Sequence, residues 1–139
     1  MGKTDRIGSE DAGKLLLRVM IGGLLIFHGV SKAIHGIDWI KGGLAASHLP
    51  AFIAYGVYVG EILAPVLILV GVWTRLGGLI VAFDLIVAIL MVRLPSLLAI
   101  SKSGGWAMET DFFYLLGGLA IALMGPGRIR LGRGEGILA

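Results

Sequence analysis

The sequence predicts an all-α integral membrane protein, a four-helix antiparallel bundle. Three observations carry this. The 139 residues are 57% hydrophobic and only 15% charged, with a mean hydropathy of +0.93. A soluble domain of this size needs about 25% charged residues to present a wet surface. Four apolar stretches recur along the chain, each about 18–22 residues and long enough to cross a bilayer at about 1.5 Å per residue. The Lys and Arg residues gather at the ends of these stretches.

Residues 1–13 are polar and of mixed charge and read as a tail. The first span is expected over 14–34. It is no signal peptide: it holds Arg18, His28 and Lys32, lacks an Ala-x-Ala site and is too long for a signal core. At 100° per residue, Arg18, Gly22, Leu25, Gly29 and Lys32 fall on one narrow arc, with His28 at its edge; Leu24 and Phe27 point elsewhere. The small and polar arc should face the bundle and the apolar arc lipid.

Residues 35–50 form a connector with room for a short interfacial helix anchored by Trp39. The second span is expected over 51–72, with Pro50 at its start. Glu61 sits at its centre beside a row of small residues, Gly56, Gly60 and Ala64, that permits close helix approach. Pro65 removes a backbone donor, so the helix should be irregular around Glu61.

Trp73-Thr74-Arg75 reads as a tight connector, and the third span as 76–94, with Asp84 near its centre and Arg93 at its end. Pro95 stops it, and an exposed loop follows. The fourth span is expected over 107–124, with Glu109 and Asp111 in the first turns, where the helix dipole favours acids. Gly118 and Ala122 form a further small-residue row. Gly125-Pro126-Gly127 is a stop signal, and 128–139 reads as a basic tail. The organisation is thus one membrane domain over 14–127 between two tails.

Four spans place both termini on one side, with the connector after the second span. Lys3, Arg6, Lys14, Arg75, Arg128, Arg130 and Arg133 fall there, against Lys32, Lys41, Arg93 and Lys102 on the other. The positive-inside rule puts the termini in the cytoplasm. Glu61 and Asp84 then lie roughly 15 Å from the outer ends of their helices, and His28 about 10 Å from that side.

Other classes are excluded. No cysteine is present, so disulfides, thiol exchange and cysteine-ligated metal are out. The net charge of +3 comes from span ends and not from a basic stripe with interleaved aromatics, so nucleic acid is not an expected partner.

The run Arg18…Phe27-His28-Gly29…Lys32, Pro50, Glu61 with Gly71 and Arg75 after it, and the closing Gly125-Pro126-Gly127-Arg128 together resemble the DoxX family of small membrane proteins. The resemblance covers about Leu15 to Arg130. It implies a four-helix bundle of bacterial and archaeal plasma membranes. Some members are similar to a subunit of a thiosulfate:quinone oxidoreductase, and others associate with oxidative-stress or methylamine-pathway components. Asp84 is not part of the pattern that carries the resemblance.

Glu61, His28, Asp84, Lys32 and Arg18 are the candidate ligand- or proton-handling residues. A charge in a membrane span is expensive and usually has a partner. Glu61 and Asp84 could each fix helix register or handle protons in a pocket between helices. Arg18 and Lys32 share the packed face and could partner acids on neighbouring helices. Arg93 should snorkel to the interface. Gly22, Gly29, Gly56, Gly60, Ala64, Gly118 and Ala122 are the candidate packing positions. A haem is not expected, because neither His35 nor His48 can sit across one from His28. A metal held by His28, Glu61 and Asp84 lacks the usual ligand spacing and is not expected either.

Three functions fit these residues. The first is a membrane subunit or partner of a redox system, with a quinone head group near His28, Glu61 and Asp84 and a partner oxidoreductase subunit supplying electrons. The second is a non-enzymatic scaffold or assembly factor. The third is a small proton-coupled carrier, which at four spans would need to form a homo-oligomer.

Overall fold

The computed structural model describes residues 6–132 and 136–139. Lys3 and Arg133, two of the basic residues assigned to the terminal side, lie outside the described residues. Helix α1 covers Ser9–His35 and α2 Asp38–Ala46; α3 runs over Ala51–Val70, α4 over Thr74–Ser96 and α5 over Glu109–Met124. Helices α1, α3 and α4 are each long and apolar enough to cross a membrane. Helix α5 is shorter, at 16 residues, or about 24 Å by its rise. It completes the bundle by packing along α4 and against α1.

The pattern read from α1 is the pattern it adopts. Arg18, Ile21, Gly22, Leu25 and Gly29 are buried, while Leu24 and Phe27 are 51% and 72% exposed. The helix begins at Ser9, ahead of the expected Lys14. Glu10 and Asp11 in its first turn suit the helix dipole, and Asp11 accepts a hydrogen bond from the Gly8 backbone N–H at 3.2 Å.

The irregularity expected near Pro65 takes a defined form. Helix α3 starts as a 3-10 turn over Ala51–Tyr55 and carries a π-helical turn over Val59–Leu63, with Glu61 at its middle. The Ala64 N–H bonds the Val59 carbonyl, one residue beyond the α-helical partner. Regular α-helix resumes at Ala64, which puts Pro65 in a first turn, where its missing N–H does little harm. A second π-helical turn covers Ile89–Arg93 in α4. The connector before α4 is 71–73, with Gly71 and Trp73 both in the left-handed region. Thr74 and Arg75, expected in that connector, are already helical.

Glycine pairs set the closest approaches. A Cβ on Gly77 would meet the Ala64 carbonyl, and one on Gly78 the Gly118 carbonyl. Gly117 faces Ile21 and Gly118 faces Gly78. Each pair therefore serves two neighbours: Gly77 toward α3 and Gly78 toward α5, Gly117 toward α1 and Gly118 toward α4. The main core lies among these helices, with Ile21, Leu25, Ala64, Ile68, Val81, Leu85 and Ile121. A smaller cluster of Ile37, Leu44 and Ala54 seats α2 on α3. The outer flank is apolar: Phe83, Phe113 and Leu123 are 69%, 68% and 79% exposed, as suits lipid and not water.

The start of α1 and the described residues after α5 meet at one end of the bundle. The Arg128 N–H donates to Asp11 at 3.0 Å, the Leu131 N–H to the Val70 carbonyl at 2.8 Å and the Leu76 N–H to the Leu138 carbonyl at 3.1 Å. The described part of the basic tail is thus tied back under the α3–α4 connector.

Candidate functional site

The charged candidates separate into two groups, one at the end of the bundle that holds the termini and one near the mid-length of α3 and α4. At the end that holds the termini, Arg18 is buried and donates to the backbone carbonyls of Ile68 and Leu69, at 2.8 and 2.9 Å, and of Pro126, at 2.9 Å. It also donates to the Ile129 carbonyl. These acceptors are the last turn of α3 and the turn after α5, so Arg18 ties three segments together. Gly71 lies against it: a Cβ there would come 2.6 Å from Arg18 Nη2, and its φ of +80° is left-handed. Arg75 does the same for α5, donating to the Ala122 and Leu123 carbonyls at 3.1 and 2.8 Å. Arg18 therefore does not join Glu61. Its guanidinium makes four hydrogen bonds to backbone carbonyls, two at the end of α3 and two in the segment after α5, a role suited to a planar fork of donors.

Lys32, Glu61 and Asp84 form the second group. Lys32 Nζ lies 2.7 Å from Glu61 Oε1 and 2.5 Å from Oε2, so one ammonium engages both oxygens. Gly29 makes this approach of α1 and α3 feasible, because a Cβ there would strike the Glu61 carbonyl. Asp84 enters from α4. Its carboxyl packs on Gly60, where a Cβ would fall 2.5 Å from Asp84 Cγ. Three spans thus deliver one cation and two acids to one place. Among the described residues the ion pairs are Lys32–Glu61 and Arg93–Asp111, and Asp84 has none.

These charges line the inner part of a crevice of about 610 Å³. Its walls are otherwise apolar: Val57, Val59, Leu79, Ile80, Phe83 and Met91 are representative. The volume is in the range of sites for small organic ligands. Exposed Val59, Leu79, Phe83 and Val92 form its rim, so it opens sideways on the apolar flank. Helix α2 covers its far end with Trp39, Ile40, Gly43 and Leu44. That helix is held in place by Lys41, which donates to the Tyr55 hydroxyl at 2.9 Å and sits over the ring. Donating this hydrogen bond to Tyr55 pushes the Lys41 pKa up.

Other expectations are corrected by the geometry. His28 is exposed and does not line the crevice; it stands edge-on to Tyr114, with ring centroids 5.9 Å apart. It sat at the margin of the packed arc, and that margin turns toward α5. Gly56 does not continue the packing row, since a Cβ there would meet nothing within 4 Å; it borders the crevice instead. Gly60 packs on Asp84, while Gly22 packs on Pro65 and Leu69. Arg93, whose side chain stays 38% exposed at the end of α4, is also paired: its Nε lies 3.3 Å from Asp111 and its Nη2 donates to the Ala107 carbonyl at 2.9 Å.

Residue spacing set no site or packing role on α2, on Arg75 or on the Gly77-Gly78 pair, although Arg75 is among the residues that carry the family resemblance. A signal existed for the glycines, because Leu76-Gly77-Gly78-Leu79 matches Leu116-Gly117-Gly118-Leu119. The two motifs face each other. Among the described residues no three His, Asp or Glu side chains converge as a metal site would need.

A comparison with curated proteins finds a Bacillus subtilis (strain 168) protein named "Putative oxidoreductase CatD", 35% identical over 117 residues, or 84% of this chain and 82% of that one. No solved structure matches. The DoxX family model matches residues 13–94, the stretch that supplies Arg18, Lys32, Glu61 and Asp84. On both counts the chain belongs to the DoxX family.

Proposed function

We propose that this protein is the membrane subunit or partner of a quinone-linked redox system, and that the crevice between α2, α3 and α4 holds an amphiphilic ligand by its head group. The observation that carries this is the convergence of Lys32, Glu61 and Asp84 at the inner part of an otherwise apolar crevice open to the lipid flank. Intramembrane charges mark ligand and proton pathways more often than packing. An isoprenoid tail would leave along the exposed rim, and a ring with two carbonyl oxygens would meet the polar groups.

The name of the Bacillus relative supports a redox role. The chain has no cysteine, so a partner would supply electrons. The proposed site is the plasma membrane, with both termini in the cytoplasm. Arg6, Lys14, Arg75, Arg128 and Arg130 at the terminal end favour that orientation. The crevice, with α2 at its far end, then lies in the outer half of the bilayer.

The test is purification in mild detergent followed by lipid extraction. Quinone is expected in the extract of the wild-type protein and at reduced amount with Glu61→Gln. If no quinone co-purifies and none binds when added, the proposal fails.

A further inference from the structure

We propose that Asp84 is the ligand-facing acid of the crevice: it carries a proton and donates it in a hydrogen bond to a carbonyl oxygen of the bound head group. Glu61 is kept out of that role by Lys32. This deepens the quinone reading above and rests on it.

Position separates the two acids. Both oxygens of Glu61 are engaged by Lys32 Nζ, at 2.7 and 2.5 Å. Asp84 lines the same crevice and has no ion-pair partner among the described residues. Its carboxyl rests on Gly60, so no side chain at that position shields it from the ligand space.

Charge counting separates their protonation. Lys32 from α1 balances one carboxylate, and Glu61 from α3 is the one it touches. Tyr114 from α5 is the further titratable group within reach of Glu61, and a phenol brings no positive charge. The arginines are committed elsewhere, Arg93 to Asp111 and Arg18 to carbonyls at the end that holds the termini. An ionised Asp84 would leave a net negative charge among Leu79, Ile80, Phe83 and Val87. Such walls disfavour the uncompensated ion, and one proton removes it.

A neutral carboxyl is a donor, whereas a carboxylate only accepts. The crevice therefore suits a neutral head group rich in acceptor oxygens, which is what a quinone presents. The sign of the pH dependence follows. Affinity is full while Asp84 holds its proton and falls as rising pH removes it. On either plateau no proton is exchanged on binding; across the step between them part of a proton is taken up with the ligand.

The test uses the full chain in lipid nanodiscs with Trp73→Phe and Trp106→Phe. Trp39, which lines the crevice, remains as the fluorescent reporter. Decylubiquinone is titrated across the acid-to-alkaline range, and folding of each variant is checked by circular dichroism. The dissociation constant should rise about tenfold from the acid to the alkaline plateau, the scale of one hydrogen bond. Asp84→Asn keeps a donor, so its affinity should stay near the acid plateau at every pH. Asp84→Ala should show the weak plateau throughout.

Binding of the probe with no pH step in wild type overturns the Asp84 assignment and leaves the crevice reading intact. A step that persists in Asp84→Asn and vanishes in Glu61→Gln also overturns it, in favour of Glu61. Absence of probe binding at any pH removes both readings.

Discussion

The carboxyl of Asp84 rests directly on the Cα of Gly60, so that a methyl group on Gly60 would come 2.5 Å from Asp84 Cγ and 2.6 Å from Oδ1. Glycine here makes room for an acid, not for a passing helix backbone. Gly60→Ala should therefore displace Asp84 and cost about 1–3 kcal/mol, the range for overpacking a filled site. Gly56→Ala, one helical turn away, meets open space and should leave stability unchanged. Thermal unfolding of the two variants in the same detergent checks this contrast; equal effects would mean that Asp84 does not occupy the notch.

The Lys32–Glu61 pair should show the asymmetry of a partly buried ion pair. The two side chains are 20% and 9% exposed. Lys32→Met leaves two acids without a cation, and Glu61→Gln leaves an ammonium without its carboxylate. Each single change should destabilise the fold by about 3–5 kcal/mol, and the double variant by clearly less than their sum. A double-mutant cycle on unfolding midpoints measures the coupling. A coupling near zero would mean that the pair does not form in the bilayer.

Arg18 should behave as a structural residue with no part in ligand binding. Its donors satisfy carbonyls of Ile68, Leu69, Pro126 and Ile129. Arg18→Met strands these acceptors and should cost about 3 kcal/mol or more. Arg18→Lys should recover little, because one ammonium cannot reproduce a planar fork. Folded protein recovered at low temperature should bind ligand as wild type does. Full stability of Arg18→Lys would contradict the clamp.

Much of this was legible from the chain. The buried arc of α1 followed from a 3.6-residue period, and the cost of a charge in a span singled out Glu61. Legibility failed where a shared helix face was taken for a shared site. Arg18 and Lys32 lie on one face, yet fourteen residues separate them, about 21 Å along the axis. His28 failed for the opposite reason: it sat at the edge of the arc, where a few degrees of rotation decide between crevice and flank. The meeting of Glu61 and Asp84 depended on the rotation of α4, and Gly60 is what accommodates it. A glycine signals that something approaches, but not whether that is a backbone, as at Gly29, or an acid. The pairing of Arg93 with Asp111 bridges a long loop, and no local spacing encodes it.

Orientation can be tested directly, because the chain has no cysteine of its own. The described residues place Ser9 at the bundle end that holds the termini and Ser103 in the loop between α4 and α5, and both are exposed. The excess of Arg and Lys at the Ser9 end argues that this end stays in the cytoplasm, since short basic loops resist translocation. In whole cells a membrane-impermeant maleimide should label Ser103→Cys at once and Ser9→Cys only after lysis. The reverse pattern would put the crevice, with its α2 wall, in the cytoplasmic half of the bilayer. A partner subunit reaching the Lys32–Glu61–Asp84 group would then have to come from inside the cell. The expected pattern requires a partner, or its ligand, to approach through the outer half.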